Sequence, residues 1–157
     1  MSDERKQQIQ SFLNRISQIE SSGGKNYDHP EMESGIHEGH RAIGKYGLMP
    51  NTVKEMATRM ERGGAVDPTI KAVSSLPPDE MKAYIENNPE YEEQLAAFMA
   101  DYVLNKQNND EEKAAYSWNQ GHNMSPERIQ ENNYKDHDYV KKFHRTQSIK
   151  KLLGGEE

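Results

Sequence analysis

The apolar residues of this chain occur in short groups spaced three and four residues apart, and glycine or proline separates the groups. The first group predicts an apolar stripe on one face of a helix: Ile9, Phe12, Leu13, Ile16 and Ile19. Later groups repeat the helical spacing, and no window shows the alternation of apolar and polar residues that a half-buried strand requires. The pattern predicts an all-α fold.

Turn and capping residues divide the chain into eight predicted helices. Gly23-Gly24 ends the first helix, Pro50-Asn51 begins the second, and Gly63-Gly64 ends it. The next helices are expected to begin near Asp67, Pro78, Pro89, Asp110 and Ser125, and the last runs from about Asp138 towards Leu153. A chain of 157 residues predicts a single domain over 1–157, with 154–157 as a frayed tail.

A long polar loop, Ser21 to Met49, is expected after the first helix. It carries no helical pattern and is rich in glycine, histidine and acidic residues. Its histidines, His29, His37 and His40, suggest a metal site, but glycines interrupt the segment and no matching ligand set occurs elsewhere. We expect a solvated loop and no metal site.

The composition excludes several classes of function. The chain has no cysteine, so disulfides, thiol catalysis and cysteine-bound zinc are excluded. Its 26 acidic residues against 20 basic ones give a net charge of -6, which argues against nucleic acid as a partner. No stretch approaches the roughly 20 apolar residues that span a bilayer. The polar N-terminus has no apolar segment behind it, so no secretory signal is expected.

Acidic residues occupy two distinct settings in the predicted helices. Glu90, Glu92 and Glu93 fall in the first turn of the fifth helix, where negative charge suits the helix dipole, and we interpret them as a solvated face. Glu20 directly follows Ile19 on the apolar stripe, so its carboxyl is expected at the edge of the core, where desolvation raises the pKa of a carboxylic acid. A carboxyl still protonated near neutral pH is what glycosidic-bond cleavage needs in its general acid. By spacing alone, an ordinary exposed glutamate is the commoner case.

Residues 19–26 read Ile-Glu-Ser-Ser-Gly-Gly-Lys-Asn, and residues 44–52 read Gly-Lys-Tyr-Gly-Leu-Met-Pro-Asn-Thr. These two segments resemble consecutive motifs of the soluble lytic transglycosylases and goose-type lysozymes. In that family the catalytic glutamate ends a helix and is followed by serine, small residues and asparagine. Residues 44–52 are similar to the second motif, Gly-Leu-Met-Gln-x-Met-Pro-x-Thr. Four positions stand in register: Gly44, Met49, Pro50 and Thr52.

Two further segments extend the resemblance to position 143. Trp118-Asn119-Gln120-Gly121 is similar to the third motif, Tyr-Asn-Ala-Gly, and Tyr139 to Phe143 resembles the Tyr-Val-x-x-Val helix that closes the family's fold. Gly47 stands where the second motif has Gln, and Trp118 stands where the third has Tyr, leaving an indole N–H that can still donate to the Glu20 carboxyl. The stretch between the first two motifs is also long. The resemblance therefore indicates a divergent, phage-type branch.

The resemblance implies a lysozyme-like helical domain acting as a peptidoglycan lytic transglycosylase, with Glu20 as general acid and then base. The β-1,4 bond between N-acetylmuramic acid and N-acetylglucosamine is cleaved with a 1,6-anhydro product, and no cofactor is needed. A muramidase on the same fold is an alternative, using a second carboxylate to activate water. Its candidates are Asp28, Glu31, Glu33 and Glu38. A non-catalytic wall-binding or virion structural protein is the other alternative.

Five residues near the motifs are candidates for binding substrate. Ser21 is expected to bond the Glu20 carboxyl or the sugar, and Met49 to line the groove. Tyr46 and Trp118 offer flat apolar faces beside polar tips, and Asn119 offers an amide for an N-acetyl group. Core packing is an equally good interpretation of Met49 and Trp118.

The implied partner is the glycan strand of peptidoglycan, so the expected place of action is the cell wall or periplasm. Without an export signal, three routes fit: a virion-associated protein, delivery by a secretion system, or a chain trimmed of its signal. We expect a monomer that neither binds nucleic acid nor spans a membrane.

Overall fold

The computed structural model describes residues 1–32, 40–64 and 67–152. Within these ranges it contains eight α-helices and one short 3₁₀ turn, Tyr134–Asp136. The helices are α1 Asp3–Ser21, α2 Pro50–Arg62, α3 Pro68–Ser74, α4 Pro78–Asn87, α5 Pro89–Lys106, α6 Glu111–Gln120, α7 Pro126–Glu131 and α8 Asp138–Leu152. Extended pairing in the described ranges is limited to two isolated bridges, Glu31 with Arg41 and Ile43 with Leu48. The all-α prediction is confirmed for this part of the chain.

The helix boundaries follow the capping chemistry that the sequence predicts. Asp67 accepts a hydrogen bond from the Thr69 amide at 2.9 Å and so begins α3. Asp110 and Ser125 cap α6 and α7 in the same way. Prolines open α2, α3, α4 and α7, because a first-turn residue has no helical partner for its amide. The predicted tail, 154–157, and His37 lie outside the described residues.

The chain divides into two compact units. The first unit comprises Met1–Ile19 with the chain from Met99 onwards, and the second unit comprises Glu20–Phe98. The single domain over 1–157 stays a prediction. No helix in the described ranges combines the length and apolar character that crossing a bilayer requires.

The core of the first unit is aromatic and joins α1 to α6 and α8. Phe12 lies with its ring centroid 5.9 Å from that of Trp118 and 5.6 Å from that of Phe143. Arg15 is buried beside them, with its guanidinium carbon 3.6 Å from the Phe143 ring centroid and Nη2 donating to the Phe143 carbonyl at 2.9 Å. Its Nε donates to Thr146 Oγ1 at 2.9 Å. The apolar stripe of α1 is therefore buried as its periodicity predicts.

The core of the second unit is built from the apolar faces of α2 to α5. Its fully buried side chains include Tyr46, Met56, Met81, Ile85 and Leu95. Tyr91 fixes α5 to α3, because its hydroxyl donates to the Ile70 carbonyl at 2.6 Å while its ring packs edge-on against Tyr84. This packing surrounds the segment that precedes α2, where the candidate site lies.

Candidate active site

Glu20 is half-buried at the end of α1, and its carboxyl lies directly against the backbone of Gly47. A Cβ atom added to Gly47 would lie 2.6 Å from Glu20 Cδ and 3.1 Å from Cγ, closer than side chains approach one another. The two segments that resemble the family's first and second motifs therefore meet within the second unit. Position 47, where the resembled motif has Gln, has no room for a side chain while Glu20 keeps this position.

Gly47 belongs to a closed turn, Gly44–Gly47, which we call the second-motif turn. The flanking residues Ile43 and Leu48 exchange both backbone hydrogen bonds, at 2.7 and 3.0 Å. Gly44 and Gly47 have φ angles of +73° and +65°, in the left-handed region that an L side chain adopts only with strain. Glycine is thus required at both corners of the turn, and at position 47 the Glu20 carboxyl adds a steric reason.

Ser21 connects the end of α1 to the second-motif turn. Its hydroxyl donates to the Lys45 carbonyl at 2.6 Å and accepts from the Gly24 amide at 2.9 Å. The side chain is buried, and the Lys25 and Asn26 amides both donate to the Ser21 carbonyl. Ser21 therefore holds the turn, and we do not include it among the proposed substrate contacts.

Glu92, on α5, accepts the amides of the second-motif turn. Its Oε1 accepts from the Lys45 amide at 3.0 Å and its Oε2 from the Tyr46 amide at 2.9 Å. A Cβ atom on Gly44 would lie 2.7 Å from Glu92 Cδ, so the carboxyl also fills the space beside that glycine. The side chain is only 3% exposed, and the interpretation of Glu92 as part of a solvated face is wrong.

The pKa of Glu92 is raised from 4.5 to about 7, chiefly by burial and to a smaller extent by the neighbouring charges of Glu93 and Glu86. The two amide hydrogen bonds act in the opposite direction, because they favour the ionised form. The signal for this burial was present in the sequence: Glu92 shares a helical face with Leu95, Ala96 and Met99 at spacings of three, four and seven. The position of Glu92 in the first turn of the helix had instead suggested that its side chain is exposed to solvent.

Tyr46, in the second-motif turn, is hydrogen-bonded to Glu93 on α5. The Tyr46 hydroxyl donates to Glu93 and lies 2.8 Å from both carboxylate oxygens. The ring is 0% exposed, and burial raises the pKa of its hydroxyl well above the ordinary value. The ring of Tyr46 is therefore packed in the protein core and has no exposed face on which a sugar ring could stack. The prediction of Tyr46 as a stacking residue loses its physical basis.

His29 packs on the other side of the second-motif turn. Its Nε2 lies 2.8 Å from the Gly44 carbonyl, and because a carbonyl only accepts, this nitrogen carries the proton. Arg41 Nη1 donates to the His29 carbonyl at 2.8 Å. His29 is buried, so the expectation of a solvated loop is wrong at this position. No group of three potential metal-ligating side chains occurs among the residues that the structure describes.

The remaining predicted site residues are spread over the chain. Met49 is partly exposed and immediately precedes α2. Trp118 and Asn119 belong to the first unit: Trp118 is 7% exposed and packs on Phe12, and Asn119 is exposed. The structure thus brings together Glu20, Ser21 and Tyr46 in the second unit. Trp118 and Asn119 belong to the first unit.

The candidate second carboxylates have few structural constraints. Asp28 and Glu31 are exposed, and Glu31 pairs with Arg41 through an isolated bridge. Glu33 and Glu38 lie outside the described residues. An open cavity of about 540 Å³ between α2 and α3, floored by Ala57 and Ile70, contains none of the predicted site residues.

No family model matches the chain, and neither curated proteins nor solved structures yielded a match. Function has therefore to be inferred from the residues and contacts of this chain.

The raised pKa of Glu92 predicts a pH-dependent stability. Between pH 4.5 and about 7 the unfolded chain releases this proton while the folded chain keeps it, so stability falls as the pH rises. The shift corresponds to about 3 kcal/mol over that window. We expect the free energy of unfolding of Glu92→Gln, measured with urea, to gain about that amount relative to the wild type between pH 4.5 and 8.

Glu90→Gln provides the matched control for this measurement, since Glu90 is exposed in the same turn of α5. Its unfolding free energy should run parallel to that of the wild type across the pH range. A constant difference between Glu92→Gln and the wild type would contradict the effect of burial on Glu92.

Proposed function

We propose that this protein is a peptidoglycan lytic transglycosylase with a lysozyme-like helical fold and with Glu20 as its general acid and base. The contact between the Glu20 carboxyl and Gly47 carries the proposal, because it joins two segments that resemble consecutive motifs of one family of glycan-cleaving enzymes. Half-burial of Glu20 at a helix end supports the same role, because the carboxyl lies against the backbone of Gly47 at the edge of the core.

The proposed reaction uses one enzyme carboxyl twice. Glu20 donates its proton to the glycosidic oxygen, the bond from that oxygen to the muramic acid anomeric carbon breaks, and an oxocarbenium-like centre forms. The Glu20 carboxylate then accepts the proton of the muramic acid C6 hydroxyl, and the C6 oxygen closes the 1,6-anhydro ring. The proton lost in the first step is regained in the second, and no water is consumed.

We favour the reaction that uses a single enzyme carboxylate, because it requires no acidic group besides Glu20. The C6 hydroxyl is held next to the reacting carbon by the sugar itself, so proximity replaces a bound water. Inverting hydrolysis would require a second carboxylate about 6.5–9.5 Å from the first. The exposed Asp28 and Glu31 are the described candidates for that role, and nothing fixes either of them beside Glu20.

The proposed partner is the glycan strand of peptidoglycan, and the proposed place of action is the cell wall or periplasm. The protein is proposed to act there as a monomer. Of the predicted sugar contacts we keep Met49, which belongs to the same unit as Glu20, whereas the contacts of Trp118 and Asn119 stay predictions.

Mass analysis of muropeptides released from purified sacculi tests the proposal. We expect 1,6-anhydro ends, which are about 18 Da lighter than reducing ends because no water is added. Reducing ends would establish the muramidase instead. Absence of either product across the pH range, with retention of the protein on sacculi, would establish the non-catalytic wall-binding alternative.

A further inference from the structure

The second-motif turn is held mainly from α4 and α5. Its first three amides all point at carboxylates: Gly44 at Glu86 with a distance of 3.4 Å, and Lys45 and Tyr46 at the two oxygens of Glu92. Glu92 is the most buried of these acceptors and the only one that bonds two of the amides. Ser21 and His29 also bond the turn through its carbonyls, but the Glu92 carboxyl is the group that orients the Lys45 and Tyr46 amides.

The second-motif turn also determines the position of the backbone that the Glu20 carboxyl contacts. Gly47 is the last residue of the turn, and its backbone is in contact with the Glu20 carboxyl. Its φ of +65° follows directly on the two residues whose amides Glu92 accepts. A change in the orientation of the Lys45 and Tyr46 peptides therefore displaces the surface on which the Glu20 carboxyl rests.

We infer that Glu92 is a positioning residue for Glu20, acting through the second-motif turn without touching substrate. The inference rests on the proposed function insofar as Glu20 is the catalytic acid. Its structural part, the dependence of the Glu20 environment on Glu92, stands on the contacts alone.

The chemistry of the two acceptor oxygens explains why glutamate is needed at position 92. A carboxylate presents two acceptors to two amides, whereas a glutamine amide presents one oxygen and one NH₂ group. In Glu92→Gln one turn amide therefore faces a donor, and a buried amide without an acceptor is costly. We expect the turn to rearrange locally so that this amide finds another acceptor, while the surrounding helices stay folded.

Several charged or titratable groups face Glu92 or the turn that it holds, and their signals must be separated from its own. They are Lys82 and Glu86 from α4, Glu93 from α5, Lys45 and Tyr46 from the turn, and Tyr27 and His29 from the segment after α1. The His29 ring protons give a separate signal for His29 in the same spectra.

NMR on the whole chain tests the inference without relying on activity. In the wild type, the amides of Lys45, Tyr46 and Gly47 should move through the Glu92 transition near pH 7, and the side-chain carboxyl carbon of Glu20 should show that transition in addition to its own ionisation. Glu92→Gln should abolish that transition and shift the Glu20 carboxyl resonance at fixed pH. Glu90→Gln, on the exposed side of the same helix turn, should leave the transition and the resonance unchanged.

Release of anhydro-muropeptides from sacculi provides the functional arm. A misplacement of about 1 Å in a catalytic group can lower the rate by about 100-fold, and we expect a loss of that order in Glu92→Gln and none in Glu90→Gln. Wild-type rate in Glu92→Gln with an unchanged Glu20 resonance would overturn the inference and leave the proposed function standing.

The remaining outcomes separate the two proposals. A wild type that releases no muropeptides overturns the proposed function, and the Glu20 resonance still decides whether Glu92 positions it. If Glu92→Gln does not fold, the wild-type titration decides: a Glu20 carboxyl signal that does not follow the Lys45 and Tyr46 amides overturns the inference.

Discussion

Replacing Glu20 with Gln is expected to lower the release of muropeptides from sacculi by about 1,000-fold, within the range for a general acid. Gln has nearly the same shape as Glu, so it can occupy the same space against Gly47. It has no acidic proton to give to the glycosidic oxygen and no carboxylate to accept one from the C6 hydroxyl. Binding to sacculi and the unfolding free energy should therefore change little while the chemical step is lost.

Glu80→Gln is the control for this variant, because Glu80 is an exposed glutamate in the first turn of α4 and outside the site. Its rate should equal that of the wild type. A second comparison, Asp28→Asn with Glu31→Gln, distinguishes the two reactions: a transglycosylase keeps its rate, whereas a hydrolase that uses either carboxylate loses it. Lysis by Glu20→Gln at the wild-type rate would show that the acid has been wrongly assigned.

Replacing Gly47 with Ala is expected to lower the rate of muropeptide release by about 100-fold, because the new methyl group must displace the Glu20 carboxyl. The carboxyl is the far end of a flexible side chain, so it can move aside and the protein still folds. The positive φ of Gly47 adds a strain of roughly 1–2 kcal/mol for an L residue. Activity should therefore suffer far more than stability.

Gly64→Ala separates the collision from the strain. Gly64 also has a positive φ, +98°, but a Cβ atom added there meets nothing within 4 Å. Both alanine variants should lose a similar unfolding free energy in urea, and only Gly47→Ala should lose activity. Equal activity in the two variants would mean that the contact between Glu20 and Gly47 has no part in the reaction.

The helices could be predicted from the sequence because their signals are local. Asp110 accepts the amide of Lys113 three residues later, and Pro50, Pro68 and Pro78 begin helices where proline costs no hydrogen bond. The apolar stripe of α1 needed only the period of the helix. Each of these features is decided within one or two turns, so the sequence alone was enough.

The candidate site could be predicted only in part, because its contacts join residues far apart in the sequence. The motif resemblance selected Glu20 and marked Gly47 only as a departure from the second motif. Their contact depends on a turn with two left-handed corners and on a carboxyl from α5. The role of Glu92 was missed because charge at a helix start usually indicates solvent. Its spacing from Leu95 and Met99 correctly indicated that Glu92 lies on the buried face of α5.

Aromatic residues near the motifs show the same limit. A tyrosine or tryptophan beside a catalytic motif suggests sugar stacking, yet both Tyr46 and Trp118 are almost wholly buried. Their large apolar surface contributes more when it is removed from water than when it lies open at a cleft. Sequence patterns identify such residues as important without indicating which face they present.

The second-motif turn predicts an order of assembly. Lys45 and Tyr46 find their acceptor in a glutamate almost fifty positions later, so we expect the turn to reach its final geometry only after α5 has docked. Helices can form early because their signals are short-range, whereas the second-motif turn requires a contact between distant parts of the sequence. A preparation with full circular dichroism at 222 nm is thus compatible with molecules in which the second-motif turn has not yet formed.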